Sequence, residues 1–259
     1  MIIGIIGGTG LYSPDFLDYP CSELISTPYG EVALYRGRYG GHEVFFLPRH
    51  GTGHLLPPHR VNYRANLWAL REVKAERVLA TAAAGSLSRR IRPGDVVALD
   101  QFIDFTRSRP STFFEGDQAG LQHVDLTEPY CPEIRAAFLA AAVSLGLPFH
   151  RRGCYVCTEG PRFETPAEIK MFRLLGGDVV GMTNVPEVVL AREAGLCYGA
   201  VALVTNYAAG ISPGPIVHQE VVDMVKDRVP LIHQMLLRAI DHIPIAASCG
   251  CSRNGHPLV

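Results

Sequence analysis

Six short apolar runs in this 259-residue chain each stop in a turn built from glycine and small polar residues. The turns are Gly7-Gly8-Thr9-Gly10, Arg49-His50-Gly51, Ala82-Ala83-Ala84-Gly85-Ser86, the segment 158–165 (TEGPRFET), the segment 181–187 (GMTNVPE) and the segment 205–210 (TNYAAG). Apolar runs of that length, closed by such turns, read as buried strands. They fall at 1–6, 43–47, 78–81, 154–158, 179–182 and 199–204, and two further strand-like runs lie at 32–36 and 95–100. Helical patterns lie between them. Leu67, Leu70 and Val73 share one face of a helix over 61–73, and Pro132 suits the first position of a helix ending at Gly146. Thr165-Pro166-Ala167-Glu168 combines an N-cap, an N1 proline and a capping-box acid. Pro186 opens a helix stopped by Gly195, and an amphipathic helix covers 217–240. Strands alternating with helices predict a single α/β domain with a mixed, largely parallel sheet flanked by helices. Its expected extent is 1–244, followed by a tail over 245–259. Ligands of such sheets bind at the carboxyl ends of the strands, where these turns lie.

The polar, Gly- and Pro-interrupted stretch from 104 to 130 is too long for an ordinary connection, so it is expected to carry function or contact partners. Lys and Arg number 24 against 25 Asp and Glu, a net charge of −1. That balance argues against a general grip on nucleic acid or an anionic membrane. No apolar run approaches the roughly 20 residues needed to cross a bilayer. The first residues lack the basic flank and cleavage site of a signal peptide, so a cytoplasmic globular protein is expected. The seven cysteines are scattered and do not form a secreted disulfide framework. Cys154 and Cys157 have CxxC spacing, but strand geometry puts i and i+3 on opposite faces, so no metal is expected there. Cys249-Gly250-Cys251, in the tail, are expected as free thiols or as a small strained disulfide.

The chemistry-bearing residues sit in the turns. Gly7-Gly8-Thr9-Gly10 suits a phosphate nest of backbone N–H groups with the Thr9 hydroxyl as a further donor, and equally an ordinary turn. It has neither the GxGxxG spacing of a dinucleotide site nor a following Gly-Lys-Ser/Thr. Arg49 and His50 pair a guanidinium fork with an imidazole, both suited to phosphate oxygens, and Thr183 follows another strand. Glu164 can accept from a ring N–H, and Phe163 can lie against an aromatic ring. The Asn206 amide can both donate to and accept from a purine edge. His218 opens the last helix. Neither an HExxH nor a GxSxG pattern occurs.

Taken together, IIGGTGL, PRHGTGH, VNYRANLWAL, AAAGSL, PGDVVALDQFID, EGPRFET, GMTNVPEVVLAREAG and TNY closely resemble the trimeric purine nucleoside phosphorylase and methylthioadenosine phosphorylase family. The likeness is collinear from Ile3 to about Arg238. It implies reversible phosphorolysis, in which phosphate displaces a purine from C1′ of a nucleoside. It further implies a phosphate site of Thr9, Arg49, His50, the Ala82-Ala83 backbone and Thr183. Met182 would pack under the ribose, and Phe163, Glu164, Asn206, Tyr207 and Ala208 would surround the purine, with Asn206 catalytic. Phosphate is then a co-substrate, and no cofactor or metal is implied. A homotrimer or a dimer of trimers is implied, with His123 lent to a neighbour's site.

Three features of the pocket, one of them shared by Asn206 and Ala208, depart from the methylthioadenosine branch of that family. The branch has Asp where this chain has Asn206 and another Asp at Ala208; a carboxylate accepts from a 6-amino group, whereas an amide can donate to a 6-oxo group and N7. It has Ser at Glu164, whose carboxylate can accept from the N1–H of hypoxanthine or guanine. It has an apolar residue at His218, which here can hydrogen-bond a 5′-hydroxyl. All three point to inosine and guanosine rather than methylthioadenosine. Methylthioinosine, with the same base and an apolar 5′ group, is the nearest rival substrate, and a non-catalytic purine-binding protein is the rival of a different class.

Overall fold

The computed structural model describes residues 1–51, 53, 55–116 and 120–251. The side chains of His218 and Glu220 lie outside that description. The apolar opening run forms β1 (Ile2–Gly7), buried on both sides: Ile3 and Ile5 enter one core and Ile6 the other. Three strands follow, β2 (Asp18–Thr27), β3 (Gly30–Tyr39) and β4 (His42–Pro48). The sequence reading anticipated the second pair and missed β2. That strand is mostly exposed and polar, pairs antiparallel with β3 and forms the sheet's edge, so no apolar alternation marks it.

Helix α1 (Tyr63–Glu72) leads into β5 (Arg77–Ser86). Here a correction is needed, because Ala82–Ser86 is not a turn. The strand runs through it, paired along one edge with β11. The expected strand over 95–100 is the shorter β6 (Val96–Ala98), and β7 (Gln101–Phe105), which was not anticipated, follows it. Residues 106–131 then hold no helix or strand among those described, as the long polar stretch predicted. Next come α2 (Pro132–Ser144), β8 (Phe149–His150), β9 (Cys154–Thr158), α3 (Pro166–Leu174), β10 (Val179–Gly181), α4 (Asn184–Glu193), β11 (Cys197–Tyr207) and α5 (His218–His242). The α3 capping box forms as expected: Glu168 N–H donates to the Thr165 hydroxyl and Thr165 N–H to the Glu168 carboxylate. In α4, Val185 is non-helical, so regular helix starts at Pro186.

The strands make one sheet in the order β2-β3-β4-β1-β5-β10-β9-β7, with β11 joining β5 to β6 and β8 beyond it. Parallel pairing links β4, β1, β5 and β11 in the middle, while β10 meets β5 antiparallel. Helices α1 and α4 cover one face through Leu67, Leu70, Val188 and Leu190. Helices α2 and α5 cover the other through Ile134, Phe138, Met235 and Leu236. Helix α3 closes the β9–β10 end with Ile169 and Phe172. No described helix is long and apolar enough to cross a membrane.

Candidate active site

The sheet opens in its middle. Along one edge β5 pairs with β11 from Arg77 to Ser86, with a register shift between Val204 and Asn206. Along the other it pairs with β1 only over Arg77–Ala80 and with β10 only at Gly85 and Ser86. Residues 81–84 therefore have no strand partner on that edge, and β1 and β10 diverge around them. A cavity of about 520 Å³ fills the divergence. Among the predicted residues, Thr9, His50, Ala83, Phe163, Glu164, Met182, Thr183, Asn206 and Ala208 line it. Five turns that are remote in sequence meet here, against the open edge of β5.

At one end the wall is backbone. Gly8 N–H donates to the Thr81 hydroxyl at 3.0 Å, which folds the glycine turn back over β5. A Cβ on Gly8 would stand 2.6 Å from the Thr81 carbonyl oxygen and 2.9 Å from Arg49 Nη1, so only glycine lets the turn approach this closely. His50 is buried, and its Nδ1 donates to the Leu56 carbonyl at 2.8 Å. A carbonyl only accepts, so the neutral ring carries its proton on Nδ1 and leaves Nε2 an acceptor. Thr183 is buried at the N-cap of α4 with no side-chain capping bond.

Arg49 does not line the cavity. It lies beneath it, 1% exposed. Its Nε and Nη2 grip Glu187 at 2.6 and 2.7 Å, and its Nη1 donates to the Thr81 carbonyl at 2.7 Å. Three of its five N–H donors are thus engaged, leaving two for another acceptor. Glu187 also accepts from the Tyr198 hydroxyl at 2.6 Å; Asn184 donates to the same hydroxyl at 3.0 Å and accepts from Tyr130. Local pattern assigned Glu187 only to a helix, so this network was missed. Its partners lie far apart in the chain, and the one visible cue was an acid beside Pro186 in an otherwise apolar segment. Ala82, on β5, is buried without lining the cavity.

The other end is made of side chains. Glu164 is 8% exposed and accepts from the Thr158 hydroxyl at 2.7 Å. Burial pushes its carboxyl above the usual range, and the Thr158 bond opposes that shift. Phe163 is 40% exposed, with its ring at the cavity mouth. The Asn206 oxygen accepts from Thr205 at 2.8 Å, and its amide donates to the Tyr207 carbonyl at 2.9 Å, which leaves the second amide N–H. Tyr207 itself packs with the α3 cluster and does not line the cavity. Met182 passes over Gly160, whose φ of +66° suits glycine and where a Cβ would stand 2.6 Å from the Met182 sulfur. His218 begins α5, with its side chain outside the described residues. His123 is exposed in the long loop.

Sequence reasoning also missed Arg109, from that loop. Its two terminal nitrogens donate to the carbonyls of Thr158, Glu159, Met182 and Val185 and to the Tyr63 hydroxyl. One buried cation thereby ties the two strand ends that carry Glu164 and Thr183. The CxC pair is not bonded to itself: Cys249 and Cys251 are free thiols, as are the other five cysteines. Ser248 and Cys249 hold the tail against α2 by donating to Glu133; the remainder of the tail, 252–259, lies outside the described residues.

Comparison with known proteins agrees with this arrangement. A model of the phosphorylase superfamily matches residues 2–241. A probable 6-oxopurine nucleoside phosphorylase of Dictyoglomus turgidum is 55% identical over 251 residues, covering 97% of this chain and 95% of its own. The 6-oxopurine nucleoside phosphorylase of Pyrococcus furiosus is 54% identical over 258 residues, covering 96% of each. Among solved structures, methylthioadenosine phosphorylase from Schistosoma mansoni in complex with adenine superposes with a TM-score of 0.89 at 36% identity, over 93% of this chain and 91% of its own.

Proposed function

We propose that this chain, which belongs to the phosphorylase superfamily, catalyses reversible phosphorolysis of the 6-oxopurine nucleosides inosine and guanosine. The products are free base and ribose 1-phosphate. The observation that carries this reading is that Glu164 and Asn206 share one cavity with Thr9, His50 and Thr183. The first two match a 6-oxopurine edge, and the other three match phosphate oxygens.

The chemistry follows from where charge develops. As the bond from C1′ to the purine breaks and a phosphate oxygen bonds to C1′, the ribosyl ring becomes positive and the base negative. Phosphate held at the glycine turn stabilises the first charge, and the Asn206 amide, donating to the purine edge, stabilises the second. Glu164 accepts from N1–H, which a 6-aminopurine lacks. Nδ1 of His50 is committed to Leu56, so Nε2 meets phosphate either as an acceptor of its proton or as an imidazolium donor. Arg49, buried below the cavity, supports the turn through Thr81 and Glu187. Phosphate acts as co-substrate, and the reading calls for no cofactor. Asn206→Asp tests the base assignment: the ratio of kcat/KM for adenosine to that for inosine should rise about 10- to 100-fold, as expected for about 1–3 kcal/mol per mismatched buried group. Undiminished preference for inosine would overturn it.

A second reading, a methylthioinosine phosphorylase, draws on the apolar wall of Leu55, Leu56, Ile216 and Val221, which could receive a methylthio group. His218 stands against it. The same reading carries a homotrimer or dimer of trimers, with His123 lent to a neighbour, and a cytoplasmic place in purine salvage. Light scattering of the purified chain tests the assembly.

A further inference from the structure

Four cysteines from three separate parts of the chain converge on the side of the sheet covered by α2 and α5. Cys131 is the N-cap residue of α2, Cys197 opens β11, and Cys249 and Cys251 belong to the tail. Their Sγ atoms all lie within 4.8 Å of one another, and Cys131, Cys197 and Cys251 are buried. Cys197 and Cys249 are 3.4 Å apart, a separation between thiols and not a bond. Four sulfurs bound tetrahedrally to zinc at about 2.3 Å stand about 3.8 Å from one another, close to this spacing.

The surroundings are built to hold that arrangement. Arg77, 2% exposed, directs Nη1 to Cys197 Sγ at 2.7 Å and to Cys249 Sγ at 3.8 Å. A buried guanidinium against sulfur suits thiolates better than neutral disulfides. The same Arg77 bonds Glu133 at 3.0 Å. The other oxygen of Glu133 accepts from Ser248 N–H, Ser248 hydroxyl and Cys249 N–H at 2.7, 2.6 and 2.8 Å. The turn carrying Cys249 and Cys251 is therefore fixed before any metal arrives.

We propose that Cys131, Cys197, Cys249 and Cys251 form a closed tetrahedral thiolate site for a structural zinc ion. On loading, four S–H bonds break, four Zn–S bonds form and four protons leave to solvent, with no change of oxidation state. Cys197 begins the strand whose far end carries Asn206, so the ion would pin the tail to the body and take no part in the cavity's chemistry. The inference is independent of the proposed reaction.

The test uses the full chain, purified under reducing conditions without chelator. Zinc analysis should give about one ion per chain, released as an organomercurial binds the four thiolates. The double variant Cys249→Ser/Cys251→Ser should retain less than about one tenth of that zinc. Should that variant not fold, cobalt substituted into the unaltered chain decides, since a tetrahedral thiolate site has intense sulfur-to-cobalt charge-transfer absorption. A reduced chain that keeps no added zinc through gel filtration, or a cobalt complex without that absorption, would overturn the proposal. So would an intact mass lighter by four hydrogens, the mark of two disulfides.

Discussion

Around Thr9 and His50 the cavity wall is backbone resting on fully buried side chains, whereas around Phe163 and Glu164 it consists of side chains that reach solvent or stop just short of it. The first end rests on Gly8, Thr81 and the Arg49–Glu187 pair, whose two side chains have no solvent exposure. The second offers a half-exposed ring, a buried carboxyl with one hydroxyl partner, and an amide held by its neighbours. On the proposed reading, phosphate is the same in every reaction of this type, so this end can be welded into the core. On the same reading the base differs between relatives, and the residues proposed to contact it are side chains that can be exchanged without disturbing the sheet.

The sharpest way to break this contrast is at the foundation. Glu187→Ala leaves Arg49 buried without its partner and should cost about 3–5 kcal/mol of stability, read by denaturant unfolding. A loss below 1 kcal/mol would mean that the pair does not support the site. Next comes Gly8→Ala, whose methyl group must displace the Thr81 carbonyl or Arg49. It should lower kcat/KM for phosphate about 100-fold, with the relative preference among nucleosides unchanged. Altered base preference would show the two ends to be coupled.

At the base end the effects should be smaller and selective. The carboxyl of Glu164 is held above its usual range by burial, so it takes up a proton at a higher pH than an exposed glutamate. Binding of an N1–H needs the ionised form, and inosine turnover should therefore weaken as pH falls through that raised value. Glu164→Gln should lower kcat/KM for inosine about 10-fold and abolish this acid limb, seen in a pH profile. Persistence of the limb in the variant would assign it to another group. Phe163→Ala should raise KM for every purine nucleoside modestly, by about 0.5–1.5 kcal/mol of stacking, and leave kcat nearly unchanged.

The same contrast explains what could be read from the chain alone. Glycine turns, the Thr165–Glu168 cap and the short apolar runs are local patterns, so most elements and most of the predicted residues that line the cavity were legible. The polar edge strand β2 and the continuation of β5 through Ala82–Ser86 were not, because partner strands and not their own periodicity make them strands. The buried network was hidden for a similar reason. Glu187 meets Arg49 across 138 residues, and Arg109 meets Met182 across 73; neither separation leaves a trace in local composition. The cysteine cluster likewise exists only after the tail has returned to α2.

The most direct measurement is release of free base from inosine, guanosine, adenosine, methylthioinosine and methylthioadenosine, each with and without phosphate. Phosphate-dependent release from inosine and guanosine, with little from the others, is the predicted result. Release without phosphate, or a preference for the 6-amino substrates, would contradict it.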